Sequence, residues 1–184
     1  IRDSGTSVST VTGAGTYTIT GFVNNETSSV VSGTVSYTTN YTAITPVGST
    51  TATITPVVTG LSATNYSFTP ANGTITITKI SSTISVTGTQ NYTYNGSAQG
   101  PSTSTVTGST GAVTYTYSGT GSTTYTSTIT KPTNAGTYQV VASVASDANY
   151  NGATSSAYTF TIAAASSTIT VTGTQSYTYN GSAQ

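Results

Sequence analysis

The chain has 184 residues, no Cys, no His, and only three basic and three acidic side chains, for a formal net charge of zero. These counts exclude disulfides, thiolate metal sites, Cys nucleophiles and every mechanism that needs an imidazole base. A charge-poor, balanced surface does nothing to attract nucleic acid or anionic lipid, and it lacks the repulsion that keeps copies apart.

Apolar residues alternating with Thr or Ser at period two recur along the chain, which is the strand signal. In chain order the pattern predicts strands at Tyr17-Thr-Ile19, Val35-Ser-Tyr37, Ala52-Thr-Ile54, Tyr66-Ser-Phe68 and Ile75-Thr-Ile77. It continues at Ile84-Ser-Val86, Tyr92-Thr-Tyr94, Val113 to Tyr117, Tyr138 to Val144 and Tyr158 to Ile162. No stretch combines the apolar i, i+3, i+4 spacing of a helix with good helix formers, so the fold is expected to be all-β. Asn-Gly pairs at Asn72-Gly73, Asn95-Gly96, Asn151-Gly152 and Asn180-Gly181 predict type I′ hairpin turns, because both residues tolerate positive φ. Asn134-Ala-Gly-Thr-Tyr138 has the spacing of a tyrosine corner, whose hydroxyl ties back to the backbone beside a strand start; a Gly turn before an inward Tyr is the plainer alternative.

Ser and Thr make up roughly two residues in five, far above ordinary usage, which raises a disordered mucin-like stalk as one reading. The small number of prolines and the steady alternation of Ile, Val, Tyr and Phe favour folded β structure instead. No apolar run approaches the roughly 20 residues of a membrane span, and Ile1 does not open a signal peptide, so secretion signal and anchor are expected outside these residues.

The run Ser81–Gln99 returns as Ser166–Gln184, 85 residues further on (166 less 81), with Ser85 matched by Thr170 and Asn91 by Ser176. Such a period suits a small domain rather than a solenoid rung. Pro46 and Pro132 each open a segment that runs through a glycine, Gly48 or Gly136, into a strand and on to Asn65-Tyr66 or Asn149-Tyr150. The expected organisation is therefore a first β-sandwich repeat at 1–80 with an incomplete start, a second at 81–165, and the first hairpin of a third, truncated repeat at 166–184. Seven or so short strands per repeat is sandwich density, and each repeat is small enough to be marginal alone. The expected fold is tandem Ig-like β-sandwich domains, with a β-grasp-like domain lacking its helix as the alternative. Junctions after Lys79-Ile80 and within Ala163-Ala-Ala165 leave little slack, so consecutive repeats are expected to stack end to end as a semi-rigid rod.

Residues 82–165 carry TYNGSAQGP near their start, KPTNAGTYQVVASV in the middle and ANYNGATSSAYTFTIA at the end. With these phrases the segment resembles the MBG repeat of very large bacterial surface proteins. Gly21–Lys79, from GFVNNETSSVVSGT through LSATNYSFTPANGTITITK, is similar to a second subtype of that domain, whereas residues 1–16 lack its Tyr-Gly-Asp opening. The resemblance implies secreted, repetitive adhesins, frequent in Bacteroidota, often exported by the type IX system and some serving gliding motility. It brings no catalytic residues.

The carboxylates Asp3, Glu26 and Asp147 are scattered, so neither a glycosidase-type acid pair nor a Ca²⁺ loop can be assembled from neighbours in sequence. No phosphate-binding or dinucleotide fingerprint occurs. No catalytic, cofactor-binding or metal residue is assigned, and the chain is expected not to be an enzyme. Lys79 and Lys131 raise the idea of isopeptide bonds to Asn, with Glu26 and Asp147 as proton shuttles; strand-end lysines guarding sheet edges is the plainer reading. Sequons begin at Asn25, Asn40, Asn65, Asn72, Asn91, Asn95 and Asn180, little more than composition supplies, and several fall in expected turns. Thr-x-Thr pairs such as Thr16-Tyr-Thr18 and Thr74-Ile-Thr76 evoke ice binding, but a repeat of 85 residues cannot stack Thr ranks on one flat face. Tyr-Thr-Tyr at 92–94, 115–117 and 177–179 places two rings on one face, either as core or as a sugar-stacking platform.

The sequence thus points to a non-enzymatic structural segment, the stalk or filament body of an adhesin on the bacterial cell surface. Its expected partners are neighbouring repeats of the same long chain, with lateral self-association into fibres, and glycans or surfaces, beside them. Nucleic acid and membrane insertion are not expected of this segment. The alternative function is direct binding, the repeats engaging glycans or neighbouring filaments through Tyr- and Thr-rich faces.

Overall fold

The computed structural model describes residues 8–173 together with 176, 178, 179 and 181. The chain is nearly all β and forms several sheets. One expectation fails at the start: Val8–Gly13 is a six-residue helix, α1. Val8 and Val11 supply an i, i+3 apolar pair, too short a pattern to mark an amphipathic helix in the sequence. Val11 packs against a small core, and Thr12 Oγ1 caps its own turn by donating to the Val8 carbonyl at 3.1 Å. Tertiary contact, not propensity, holds so short a helix of Val and Thr. A 3₁₀ turn follows at Ser28–Val30, capped by the Thr27 hydroxyl.

The first region then places β1 (Ser32–Gly33), β2 (Ser36–Thr39), β3 (Thr53–Val57), β4 (Leu61–Ser62) and β5 (Gly73–Thr74). β1 pairs with β4, and β2, β3 and β5 form an antiparallel sheet in that order. Its core is small: Tyr41, Ala52 and Ile77 are buried, with Val11, Val47 and Ile75 against them. The strands expected at Tyr17-Thr-Ile19 and Tyr66-Ser-Phe68 are not formed, and Ile75-Thr-Ile77 is not a strand but is tied by two backbone bonds, Ile75 N to the Ala52 carbonyl and Gly48 N to the Ile77 carbonyl. The central strand explains part of this. Pro56 sits inside β3, opposite Tyr37, and cannot donate to a ladder.

The second region builds β6 (Thr83–Thr87), β7 (Asn91–Thr93), β8 (Thr103–Thr107), β9 (Val113–Gly119), β10 (Gly136–Val144), β11 (Ala153–Thr154) and β12 (Tyr158–Ala163). β10 is the axis. β9 lies antiparallel along one edge, β12 and β11 along the other, and β7 runs parallel to the far side of β12. An isolated bridge from Tyr117 to Thr128 extends the sheet beyond β9. β6 and β8 pair separately and place Ile84 and Val86 in the same core as the large sheet.

Alternation decides which side chains enter that core. Tyr138, Val140, Ala142 and Val144 of β10 are buried, as are Tyr117, Phe160 and Ile162 from its neighbours. Phe160 stacks on Tyr138 at 5.5 Å and meets Tyr92 and Tyr117 edge-on at 5.9 and 6.2 Å. Gly100 is required beneath these rings: its φ is +146°, and a Cβ there would meet Phe160 and Tyr117 at 3.0 and 3.2 Å. Between the Val140–Tyr158 and Ser143–Thr154 pairs, β10 advances by three residues and its partner by four. The extra residue makes a bulge, stabilised where Ser155 Oγ accepts from Ala142 N at 3.0 Å.

None of the described Asn-Gly pairs makes a type I′ turn. Asn72, Asn95 and Asn151 all keep negative φ, and Gly96 alone of their partners has a positive one. Asn95 Oδ1 instead accepts from Ser97 N at 3.0 Å, a side-chain-closed turn. The turn with two positive φ values is at Asn24 and Asn25 (55° and 59°), closed by Glu26 N to the Val23 carbonyl at 3.0 Å. Asn180 of the fourth pair lies outside the described residues.

Every sheet pairing keeps within 32–74 or within 83–163. At the junction the backbone of Ile80 is gripped by the second region, donating to the Asn149 carbonyl and accepting from Asn151 N. Beyond it, the hairpin expected at 166–184 shows no strand over 166–173, and most of its remainder lies outside the described residues. Ile169 and Val171 are 95% and 71% exposed, while their counterparts Ile84 and Val86 are each 8% exposed. A β-strand of this composition needs a facing layer, and among the described residues none covers Ile169 or Val171.

Candidate functional site

The Tyr115-Thr-Tyr117 pair does not make a platform, Tyr94 of the 92–94 pair is exposed, and Tyr177 of the third pair lies outside the described residues. Tyr117 is buried, with its hydroxyl donating to the Pro101 carbonyl at 2.8 Å, and Tyr115 shares a hydrogen bond with Ser104 Oγ at 2.9 Å. Both rings pack into or against the core. Burial raises the Tyr117 phenol to about 12, with smaller contributions from Tyr115 and Tyr92. Tyr92 and Tyr138 are raised for the same reason.

Tyrosine hydroxyls here serve as ties. Tyr138 donates to the Asn134 carbonyl at 2.8 Å, the bond that the tyrosine-corner spacing predicts. Tyr125 reaches the Thr130 carbonyl at 3.0 Å and Tyr158 the Gly88 carbonyl at 2.8 Å. Each ring adds apolar area to the sheet while its oxygen pins a loop.

Neither acid sits where an isopeptide shuttle needs it. Asp147 accepts from Thr110 N and Oγ1 with one oxygen, and from Asn149 N and Tyr150 N with the other. The Thr110 N–H, then that of Asn149, leads in holding its carboxyl down to about 2. Lys131 Nζ donates to Ser102 Oγ at 2.9 Å. Glu26 accepts from the Tyr66 hydroxyl. Among the described residues no group of three or more His, Cys, Asp or Glu side chains comes together, and no helix is long and apolar enough to cross a membrane. Of the sequon residues, Asn40 brackets Thr51 and Thr53 with its amide, and Asn72 Oδ1 accepts from Thr55 Oγ1 at 2.8 Å, both within the fold.

The first region holds a cleft that the linear pattern does not reveal. It encloses about 430 Å³ and is lined by residues 16–20, Phe22, residues 66–73 and side chains of the β2–β3 face, Tyr37, Ile54 and Pro56 among them. The residues expected as strands at 17–19 and 66–68 are its walls. One wall is locked by the Asn24-Asn25 turn, which presents both Val23 N and Glu26 to Tyr66. The Tyr66 hydroxyl accepts from Val23 N at 3.1 Å and donates to Glu26, and its ring meets Phe22 edge-on at 5.2 Å. That bond to Glu26 is the main reason the Tyr66 phenol is raised. No lining residue carries a charge. Tyr37 also lines the cleft, but its hydroxyl is buried without a hydrogen-bond partner. The one signal for this arrangement in the sequence was Asn-Asn, a pair that tolerates left-handed backbone as Asn-Gly does. No protein-family model, curated protein or solved structure matches the chain.

Proposed function

We propose that this chain is a segment of the stalk or filament body of a secreted bacterial cell-surface adhesin, composed of tandem Ig-like domains of the MBG type at 1–80 and 81–165. The observation that carries the reading is the junction. Sheet pairing stays on either side of it, and Ile80 is held by two backbone hydrogen bonds to Asn149 and Asn151 rather than left in a loose linker. A joint fixed in that way transmits orientation from one unit to the next, as a stalk requires. The order β7–β12–β10–β9, parallel only at its first pair, and the Tyr138 tie support an Ig-like second unit over a β-grasp-like one. A charge-neutral surface rich in Thr and Ser is compatible with fibres that associate side by side.

Small-angle scattering on the whole chain tests the proposal. A globule of this length has a radius of gyration of about 16 Å. An end-to-end arrangement gives a clearly larger value and an asymmetric distance distribution. A compact particle refutes the stalk.

A further inference from the structure

We propose that the cleft of the first region binds a neutral oligosaccharide. The idea is independent of the stalk reading, which scattering tests; ligand titration tests this one.

The chemistry of the lining selects the ligand. Tyr17, Phe22, Tyr66 and Phe68 bring aromatic rings to the lining, while Thr18 and Asn72 stand for the hydroxyls and amide interleaved with them. A pyranose has both complements, an apolar C–H face for rings and a rim of hydroxyls for polar side chains. An aliphatic ligand would strand the Thr and Asn groups against hydrocarbon, where an unpaired polar group is disfavoured. An ionised ligand finds no counter-charge in the lining. A strand-adding peptide is recognised by a regular sheet edge, and neither 16–20 nor 66–69 is a strand.

Geometry supports the same choice. The volume lies within the range of small-ligand pockets, roughly 300–1,000 Å³. Tyr17 is 51% exposed although it lines the cleft, so its ring is presented to solvent rather than used up in packing. Tyr66 is held from both sides of its hydroxyl and against Phe22, so little is lost in ordering it when a sugar stacks nearby. Asn72 is oriented by Thr55.

The experiment titrates the intact chain with cellotetraose, maltotetraose and chitotetraose by calorimetry and saturation-transfer NMR. An oligouronate, an uncharged Thr/Val peptide and a hydrophobic dye serve as the rival arms. Saturable binding of at least one neutral sugar is expected. Tyr17→Ala, an exposed position, should weaken it by about tenfold. Tyr66→Phe keeps the ring but frees it from Glu26 and Val23, and should weaken binding with the circular dichroism unchanged. Tyr94→Ala, an exposed ring of the second region, should change nothing. The proposal is overturned if no neutral sugar saturates, if Tyr17→Ala binds like the parent, or if the oligouronate, peptide or dye binds in preference to all three sugars.

Discussion

Residues 14–79 and 80–163 share the same vocabulary of Thr alternating with Ile, Val, Tyr and Phe, yet they spend it differently. In the second region, β10 is flanked on both edges and buries every second side chain from Tyr138 to Val144. In the first, the central strand β3 has no fully buried residue and is interrupted by Pro56. Its aromatic residues other than the buried Tyr41 line an open cleft, where the second region interlocks Phe160 with three tyrosines. Alternation makes a strand available; a long, proline-free central strand with partners on both edges turns it into a core.

The strongest way to break this comparison is Phe160→Ala. Loss of the ring on which Tyr92, Tyr117 and Tyr138 converge should cost about 3–5 kcal/mol, on the order of 25 °C in the midpoint for a unit of this size. Hydrogen exchange should show the loss across 83–163 and leave 32–74 unchanged. Equal loss in both would mean that they are one cooperative unit.

The repeated sequence sharpens the contrast next. Ile84→Ala should cost about 2–4 kcal/mol, while Ile169→Ala, the same residue in a local sequence that differs nearby only at Ser85/Thr170, should stay within about 0.5 kcal/mol of the parent. Denaturant melts of the two variants decide it. A comparable cost at Ile169 would show that its face is covered after all.

One deletion should act with opposite sign in the two regions. Tyr117→Phe leaves the buried Pro101 carbonyl without its donor and should destabilise by about 1–3 kcal/mol. Tyr37→Phe removes a buried hydroxyl that has no partner, and should be neutral or stabilise by about 1 kcal/mol. Destabilisation by Tyr37→Phe would locate an acceptor for that hydroxyl.

The smallest effects concern pH and belong to the second region. The Asp147 carboxyl is lower in the folded chain than in the unfolded one, so its stabilisation is present above about 4 and lost as pH falls through about 2. The Tyr117 phenol is higher when folded, so its contribution is present below about 10 and lost as pH rises through about 12. Thermal melts of Asp147→Asn should lose the acid-dependent part of the slope; an unchanged slope would assign it elsewhere.

The local pattern of the sequence already located most of the second region. Strands at 84–86, 113–117, 138–144 and 158–162 coincide with β6, β9, β10 and β12, because each has period-two burial and a partner to satisfy it. The Tyr138 tie was legible for a similar reason, since glycine and tyrosine at that spacing dictate a local bond. The cleft was not legible. Its walls read as strands in isolation, and only the absence of sheet partners for 16–20 and 66–69 turns those rings into a lining.

Composition and spacing alone determined the exclusion of His and Cys chemistry, the β-rich class and the 85-residue repeat, because these depend only on which side chains exist and in what order. Tertiary structure decided which alternating segments became strands, which Asn took a left-handed turn, and whether Ile84 or Ile169 was buried. Those outcomes depend on what lies across from a segment: hydrogen-bond partners and apolar cover come from residues remote in sequence, and nearly identical local chemistry meets different ones at 84 and at 169.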